Sequence, residues 1–467
     1  MKEITAGEAA RLAGGTVEAG NPENVITHVS TDSRDIKNGA TLFVPVIGEK
    51  TNAHRFLPDV EKKGASAAFV SEDIPFENGY RPGETGMAVI RVKDGTKALQ
   101  DLAYGYRDRI RIPLVGITGS VGKTTTREMV ALALSAGYRV FKTPGNRNSQ
   151  IGVPLTLFEI GSEDEIGVIE MGISLPGEMK KISRIVRPSC AVMTNIGTAH
   201  IGQLGSRENI RAEKADIQYG MPEGGTVFLN ADDDLLGGYA AKKGNRTVYY
   251  GTVPGKGNYA DGICLKDGCA SFTAHVDGKT AEVHLKVFGR HQVLNAMAAL
   301  SVASFYHVGL SGAAEKLSGF TGFKHRAQIL HCNGITVIDD TYNASPVSMK
   351  AAIDILQAVS AEGRKVAVLA DMKELGERER ELHFDIGNYL SDGHRADVLF
   401  TLGSLAAEIA AAVRKSGARI EIFSFSDAAR MEEKLKEYLK PGDAVLLKGS
   451  NSMNLSAVAD RMCGNGT

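Results

Sequence analysis

Short apolar runs recur along the chain, and most are followed by a turn and then by a segment with helical periodicity. An apolar run bounded by turn residues is typical of a buried strand, and strands that alternate with helices are typical of a parallel sheet. The runs are 40–45, 64–70, 114–118, 139–144, 166–171, 190–196, 335–340, 365–371, 398–402, 420–423 and 444–448. The pattern therefore predicts an α/β protein.

The chain has 467 residues, too many for one ordinary hydrophobic core, and its pattern divides it into three units. Residues 1–92 form a small α/β domain, residues 93–320 a central parallel-sheet domain, and residues 321–467 a doubly wound, Rossmann-like domain. Within the central unit, residues 226–290 look like a strand-rich appendix. The third unit has no phosphate-binding loop, so we expect it to close over the ligand of the second.

Composition argues against several classes of function. The 54 basic and 55 acidic residues balance, which disfavours a broad surface for nucleic acid or anionic membranes. No apolar run reaches the roughly 18 residues of a membrane span, and the N-terminus lacks the apolar core of a signal peptide. The five cysteines are scattered and form no Cys-x-x-Cys motif, so we expect neither a disulfide framework nor a zinc site. These features predict a cytoplasmic protein.

The segment 114–126 combines a buried strand, a glycine-rich turn and the start of a helix. Backbone N–H groups at such a helix start face an anion, while Lys123 supplies a positive charge and Thr124 a hydroxyl for Mg²⁺. The strict P-loop pattern has a glycine where this chain has Ile117. An ordinary glycine turn with a solvated lysine would not explain the three hydroxyl residues that follow Lys123. We therefore predict a phosphate-binding loop.

Two further polar residues follow strands of the same predicted sheet. Glu170 ends the strand 166–170, and His200 comes shortly after the strand 190–196. A lone glutamate at a strand end is usually solvated, and a lone histidine is usually structural. Ligands of open α/β sheets, however, lie outside the carboxyl ends of the strands, where the phosphate loop also lies. Lys214, on the predicted helix 206–219, would be an exposed lysine from periodicity alone.

Two loops remain open to two interpretations each. Ser33 and Arg34 follow Asp32 at a strand–loop junction, where they could hold an anionic group or form a surface salt bridge. Asn146 and Asn148 lie in a loop rich in amide side chains, which could face a substrate or stabilise a turn.

Four separated motifs together resemble the Mur ligases, the ATP-dependent amino-acid ligases of cell-wall precursor synthesis. They are the loop variant 118–125, Glu-Met-Gly at 170–172, Asn-Ile-Gly-Thr-Ala-His at 195–200, and Gly-Arg-His at 289–291 with Asn-Ala at 295–296. The resemblance covers the whole chain. It implies a nucleotide-sugar-binding N-terminal domain, a central ATPase domain and a C-terminal ligase domain.

Within the family, the third unit looks most like that of members joining D-alanyl-D-alanine to UDP-N-acetylmuramoyl-tripeptide. The motifs that carry this likeness are 339–346, 371–376 and 448–450. The Asp-Asn-Pro-Arg-like loop of the sister ligase that adds a diamino acid is not found. That sister ligase, folylpolyglutamate synthase and a non-catalytic nucleotide-sugar-binding protein on the same scaffold remain alternatives. The resemblance implies a monomer and leaves open whether the third peptide residue is lysine or diaminopimelate.

The resemblance also implies roles for individual residues. The ATP phosphates would be held by Gly119, Ser120, Val121, Gly122, Lys123, Thr124 and Thr125, with Arg326 at the γ-phosphate, Asn295 at the adenine and Asp340 at the ribose. Two Mg²⁺ ions would be held by Thr124, Glu170, His200 and a carbamylated Lys214. Lys123, Glu170, His200, Lys214 and Arg326 would be the catalytic set. The substrates would contact Ser33, Arg34, Asn146, Asn148, Tyr342, Asn343 and Ser345.

The chain departs from the family pattern at three places, which are 51–54, Ser149-Gln150 and Ala370. The first two fall near the nucleotide-sugar and peptide end of the expected site. They therefore concern substrate contacts and not the ATP chemistry.

Overall fold

The computed structural model describes residues 1–48, 51–73, 80–242, 244–266 and 268–464. Three large β-sheets with flanking helices follow one another along the chain, so the fold is α/β, as the hydrophobic pattern predicts. No helix in the described ranges is both long and apolar enough to cross a membrane.

A five-stranded sheet forms the N-terminal part of the molecule. Its region contains β1 (Ile4–Thr5), α1 (Ala6–Ala13), β2 (Thr16–Ala19), β3 (Val25–Ile26), β4 (His28–Ser30), β5 (Thr41–Phe43), α2 (Leu57–Lys62), β6 (Ala67–Val70) and β7 (Ala88–Arg91). The order is β2-β7-β6-β5-β4, with only β2 antiparallel to its neighbour. Helix α1 begins where the Thr5 hydroxyl accepts a hydrogen bond from Glu8 N, and it ends at Gly14 in the left-handed region.

A nine-stranded sheet forms the centre. Its region contains α3 (Gly95–Tyr106), β8 (Leu114–Thr118), α4 (Lys123–Leu134), β9 (Val140–Lys142), α5 (Gly152–Phe158), β10 (Ile166–Glu170), α6 (Glu178–Val186), β11 (Cys190–Met193), α7 (Ile201–Leu204), α8 (Arg207–Ala215), β12 (Thr226–Asn230), β13 (Arg246–Gly251), β14 (Asn258–Lys266), β15 (Cys269–Val276), β16 (Lys279–Phe288), α9 (Gln292–Phe305) and α10 (Leu310–Leu317). The order is β16-β15-β14-β13-β12-β11-β8-β10-β9. Strand β8 thus lies between β10 and β11, and the carboxyl ends of these three strands meet at one edge.

The strand-rich character of residues 226–290 is confirmed, but the segment is not an appendix. Strand β12 pairs in parallel with β11, and β13 and β14 continue the parallel part of the central sheet. Strand β15 then turns back antiparallel to β14, and β16 pairs antiparallel with β15. Strand β12 is buried along its whole length, which is the property of an interior strand.

A six-stranded sheet forms the C-terminal part. Its region contains β17 (Gln328–Cys332), β18 (Ile335–Asp339), α11 (Pro346–Ala358), β19 (Lys365–Ala370), α12 (Glu379–Ser391), β20 (Val398–Leu402), α13 (Ala406–Ser416), β21 (Glu421–Phe425), α14 (Ala428–Tyr438), β22 (Ala444–Lys448) and α15 (Leu455–Met462). The order is β17-β18-β22-β19-β20-β21, and all pairs are parallel except β17 with β18. The five predicted strands are present. The edge strand β17 was not predicted, because its residues are half-buried and lack a long apolar run.

A disulfide joins Cys332, at the end of β17, to Cys463, just after α15. The expectation that the chain has no disulfide is therefore wrong for this pair. The two cysteines are 131 positions apart in the sequence, so their spacing carries no signal, and only the fold brings them together. Cys190, which is buried, and Cys264, which is exposed, are free thiols.

Helix α15 is also held by charge, because Arg461 donates two hydrogen bonds to Glu432 of α14 that are 2.5 Å and 2.9 Å long. The Arg461 guanidinium lowers the pKa of the Glu432 carboxyl to about 2. A carboxyl whose pKa is lowered by folding stabilises the fold above its unfolded pKa, and this stabilisation is lost as the pH falls through the folded pKa.

We predict that Glu432→Gln weakens α15 at pH 7 by about 1 kcal/mol, the upper range for such an ion pair. The deficit relative to wild type should shrink as the pH falls from about 4.5 toward 2, because the wild-type carboxyl then becomes neutral as well. Amide hydrogen exchange of residues 455–462 at several pH values measures the stability of α15 in the variant and in the wild type. Glu437→Gln, which removes an exposed pair with Lys434, is the control. A deficit independent of pH would contradict the prediction.

Candidate active site

A cavity of about 1100 Å³ lies between the central and C-terminal sheets. On the central side it is bounded by the loop after β8 and by the ends of β10 and β11. On the other side it is bounded by the segments that follow β18, β19 and β22. Both sheets thus present the carboxyl ends of parallel strands, which is where open α/β sheets bind ligands.

Most of the predicted site residues line this cavity. They are Ser120, Val121, Gly122, Lys123, Thr124, Thr125, Asn146, Asn148, Glu170, His200, Asn295, Arg326, Asp340, Tyr342, Asn343 and Ser345. Four predicted residues are not part of its lining, namely Gly119, Lys214, Ser33 and Arg34.

The loop after β8 has the backbone of a phosphate cradle. Gly119 and Gly122 have φ angles of 153° and 84°, which favour glycine. A Cβ atom on Gly119 would lie 1.8 Å from Thr194 Oγ1, so no side chain fits there. The missing first glycine has a physical reason, since Ile117 is a fully buried residue of β8 and belongs to the strand, not to the turn.

Thr194 and Asn195, which follow β11, stabilise the phosphate loop through hydrogen bonds to Val121. The Asn195 amide binds both backbone groups of Val121, accepting from its N–H and donating to its carbonyl at 2.9 Å each. Thr194 Oγ1 donates to the same carbonyl at 2.6 Å. This support was not predicted as part of the site, although the position of both residues at a strand end beside β8 was a usable signal.

Lys123 is folded into the loop that precedes it. Its Nζ donates to Gly119 O at 2.9 Å and to Ser120 O at 3.4 Å. Burial lowers the pKa of Lys123, the Glu170 carboxylate opposes this shift, and the Arg326 cation adds to it. The ammonium group therefore lacks a full counter-charge, and an anionic phosphate in the cradle would supply one.

Glu170 is almost fully buried at the end of β10, and both of its oxygens have partners. Asn148 donates to Oε1 at 2.6 Å, and Arg127 donates to Oε2 at 3.1 Å. The predicted juxtaposition of Glu170 with the phosphate loop is present. The contact with Arg127, the fifth residue of α4, was not predicted.

Lys214 is only 1% exposed, so the expectation from periodicity of a solvated helix lysine is wrong. It lies four residues after the buried Ile210, and residues at this spacing share one face of a helix. Burial lowers the pKa of Lys214 well below its usual value, and the Lys123 cation contributes in the same direction. Within the described part of the chain, Lys214 Nζ forms no hydrogen bond or ion pair.

His200 connects the two walls of the cavity. Its Nδ1 lies 2.7 Å from Glu374 Oε2 of the C-terminal wall, an electrostatic contact whose angle is not that of a formed hydrogen bond. Both residues are in the left-handed region, with φ angles of 62° and 65°. Burial lowers the pKa of His200, and the Glu374 carboxylate opposes the shift. Beside this contact, a Cβ atom on Gly376 would lie 2.7 Å from Gly202 Cα.

Three more predicted residues, Arg326, Tyr342 and Asp340, form specific contacts on the C-terminal wall of the cavity. The Arg326 guanidinium lies 3.7 Å from the centre of the Tyr342 ring. Asp340 accepts a 2.5 Å hydrogen bond from the buried Lys448. On the opposite wall, Asn295 Oδ1 accepts a 3.0 Å hydrogen bond from Thr126 of α4, which fixes its side chain against the phosphate loop.

Arg34 forms a salt bridge with Asp32, which is one of the two alternatives that the sequence left open. The guanidinium donates to both carboxylate oxygens of Asp32, and its side chain is 86% exposed. The Arg34 contact lowers the pKa of Asp32 to about 2. Ser33 lies beside it and accepts from Lys63 through its carbonyl. The structure thus brings neither Ser33 nor Arg34 to the cavity.

The side chains at the cavity can supply part of the coordination of Mg²⁺ but not a complete set of ligands. No group of three His, Cys, Asp or Glu side chains among the described residues forms a metal site alone. Mg²⁺ instead takes one or two carboxylates together with water and substrate phosphates, which suits Glu170 and Thr124. Ser120 Oγ, Thr198 Oγ1 and His200 Nδ1 are buried here without a hydrogen-bond partner. Lys214 fits only if its amine becomes an anionic group.

Two family models match the chain. The Mur ligase middle domain matches residues 117–303, and the Mur ligase, glutamate ligase domain matches residues 325–451. The first match includes the phosphate loop and its supporting strands, and the second includes the opposite wall of the cavity.

Similar proteins match over nearly the full length. The chain is 34% identical over 461 residues to the UDP-N-acetylmuramoyl-tripeptide–D-alanyl-D-alanine ligase of Bacillus subtilis (strain 168), with 98% of each chain covered. The crystal structure of MurF from Acinetobacter baumannii superimposes with a TM-score of 0.89 at 29% identity, covering 99% of each chain. The MurF ligase of Thermotoga maritima in complex with ADP gives 0.81 at 27% identity, covering 94% of this chain and 97% of that one.

We predict that Lys123→Ala weakens binding of ATP by about 10- to 100-fold, the effect of losing one charge-assisted contact to a phosphate. The unfolding free energy should not fall, because the change removes a buried cation that lacks a full counter-charge. Calorimetric titration with a non-hydrolysable ATP analogue and urea unfolding measure the two quantities. Wild-type affinity in the variant would contradict the assignment of the loop.

Proposed function

Since the chain belongs to the Mur ligase family, we propose that it is an ATP-dependent ligase that joins D-alanyl-D-alanine to UDP-N-acetylmuramoyl-tripeptide. The product is the UDP-muramoyl-pentapeptide precursor of peptidoglycan. The observation that carries the proposal is the cavity in which a phosphate cradle, a buried carboxylate and a polar wall from the third domain meet. The named relative spans the whole chain at 34% identity, which supports this member of the family over its sister ligases.

The reaction proceeds through an acyl-phosphate. The free carboxylate of the tripeptide attacks the γ-phosphorus of ATP, and ADP leaves. The amine of D-alanyl-D-alanine then attacks the carbonyl carbon and loses a proton, and inorganic phosphate leaves as the amide forms. The first step joins two anions, so the site must neutralise negative charge before the atoms can approach.

Lys123 and Arg326 supply this neutralisation from opposite walls. Lys123 already donates into the cradle, where the phosphates would replace its two carbonyl partners. Arg326 is placed by stacking on Tyr342, which fixes the guanidinium plane without using its N–H groups. Asn295 and Asp340 are proposed to hold the adenine and the ribose.

We further propose that the active enzyme holds two Mg²⁺ ions, with Thr124 and Glu170 at one and Glu170, His200 and Lys214 at the other. Bound Mg²⁺ would neutralise charge on the phosphoryl oxygens. The Lys214 amine, whose pKa burial lowers, is a competent nucleophile for CO₂. Its nitrogen forms a bond to the carbon of CO₂ and loses a proton, which yields an anionic carbamate. A buried cation thereby becomes an oxygen ligand for a hard cation.

The remaining assignments follow the family. We propose that residues 1–92 bind the UDP-sugar with Ser33 and Arg34, and that Asn146, Asn148, Tyr342, Asn343 and Ser345 contact the peptide substrates. Residues 93–320 bind ATP, and residues 321–467 bind D-alanyl-D-alanine. A monomer in the cytoplasm is proposed as the working state.

We predict that ADP release from ATP and UDP-muramoyl-tripeptide depends on D-alanyl-D-alanine and not on lysine, diaminopimelate or glutamate. A coupled assay measures the rate of ADP release with each acceptor. The UDP-muramoyl-tripeptide is supplied in two forms, with lysine or with diaminopimelate at the third position. Lys123→Ala is the control for contaminating activity. Turnover with a diamino acid or glutamate would assign the chain to a sister ligase. Absence of turnover with every acceptor would favour a binding protein.

We predict that Lys214→Ala lowers kcat by about 100-fold and that short-chain carboxylates such as acetate restore part of the activity, because they can replace the carbamate oxygens. Lys181→Ala, at an exposed lysine of α6, is the control and should not respond to acetate. Full activity of Lys214→Ala without added carboxylate would contradict the carbamate.

A further inference from the structure

Arg127 is an almost fully buried arginine that does not line the cavity. It lies on the second turn of α4 and does not face the cavity, so we do not expect it to touch the substrates. Burial of an arginine is costly unless its N–H groups are bonded and its charge is paired. The contacts that meet this requirement indicate what the residue does.

The Arg127 guanidinium joins three separate parts of the site. Its Nη1 donates to Glu170 Oε2 at 3.1 Å and to Gly145 O at 2.7 Å. Its Nε and Nη2 donate to Glu128 Oε1 at 3.1 Å and 2.8 Å. Glu128 also pairs with Lys142, which is half exposed. The cluster thus alternates positive and negative groups, from Lys142 at the surface to Glu170 at the cavity.

The bond to Gly145 matters because Gly145 begins the loop that carries Asn146 and Asn148. Asn148 donates to the other oxygen of Glu170, at 2.6 Å. One guanidinium therefore fixes the carboxylate on one side and anchors the loop that fixes it on the other. The carboxylate held in this way belongs to a residue that lines the cavity.

We propose that Arg127 is the positioning residue that holds the Glu170 carboxylate in the orientation required to bind the divalent cation of the ATP complex. This inference rests on the proposed function of the cavity, and it deepens it by adding a residue that acts only through Glu170. Groups that orient a metal-binding side chain from behind commonly affect metal affinity by 10- to 100-fold. Arg127 should therefore affect the metal ion and not the peptide acceptor.

Two variants separate positioning from folding. Arg127→Lys keeps the charge, but a single ammonium cannot reach Glu128, Gly145 and Glu170 at once. Arg127→Met combined with Glu128→Gln removes one cation and one anion, so the cluster keeps its net charge while Glu170 retains only Asn148. Arg139→Met is the control, because Arg139 pairs with Glu165 on the exposed side of the same sheet.

The experiment titrates each full-length variant with Mn²⁺ in the presence of ADP and measures free Mn²⁺ by electron paramagnetic resonance. Arg127→Lys and the double variant should bind Mn²⁺ about 10- to 100-fold more weakly than wild type. Arg139→Met should bind as wild type does. In steady state, the Mg²⁺ concentration for half-maximal rate should rise by a similar factor, while the KM for the acceptor stays unchanged.

The titration needs no acceptor, so it remains decisive if the acceptor screen fails. Wild-type Mn²⁺ affinity in both Arg127 variants would overturn the proposal and make Arg127 structural. An equal loss in Arg139→Met would also overturn it, because the effect would then reflect general destabilisation of the sheet. A raised KM for the acceptor with unchanged Mn²⁺ binding would place Arg127 in substrate binding instead.

Discussion

Two lysine amines, the buried Lys214 and the partly buried Lys123, lie close enough for Lys123 to lower the pKa of Lys214, and the site depends on this constraint. Burial lowers the pKa of both amines; the Arg326 cation lowers that of Lys123 further, and the Lys123 cation lowers that of Lys214 further. Of the anions that oppose these shifts, Glu170 acts on Lys123 and Glu213 acts on Lys214, and Glu170 is already paired with Arg127. The loop after β8 therefore carries surplus positive charge, which the packed strands around it hold in place. The triphosphate of ATP and a carbamate on Lys214 are the anions that would remove this surplus. The same positive charge would therefore favour binding of ATP and stabilise the negative charge that develops in the phosphoryl transfer.

The parts of the site that the sequence predicts are those encoded within a few residues. The strand, turn and helix around Lys123 form a local pattern, and Glu170 and His200 are marked by the ends of apolar runs. Burial of Lys214 was predictable only through family resemblance, since the deciding neighbour, Ile210, had to be recognised as the inward face of α8. Arg127 was overlooked because an arginine near the start of a helix is normally solvated.

The elements that the sequence did not reveal depend on distant pairing. Residues 226–230 are typical of any buried strand, and only pairing with β11 makes them part of the central sheet. Strand β17 is a half-polar edge strand, and the Cys332–Cys463 disulfide closes 131 residues of chain. The crossing between the second and third domains is likewise non-local. His325 and Ala327 there have φ angles of 64° and 49°, and they are bonded to Asp339, which ends β18, and to Asp340, which follows it. Such strain survives only where surrounding bonds fix it.

The contact between Gly202 and Gly376 sets how near the two walls of the cavity can come. No side chain lies between the two backbones, and even a methyl group on Gly376 would overlap Gly202. The distance between the domains is consequently limited by repulsion between peptide planes, which are far less compressible than side chains that can change rotamer. The contact works as a mechanical stop. In the proposed reaction, such a stop would bring the phosphate, carboxylate and amine to the same separations in every turnover.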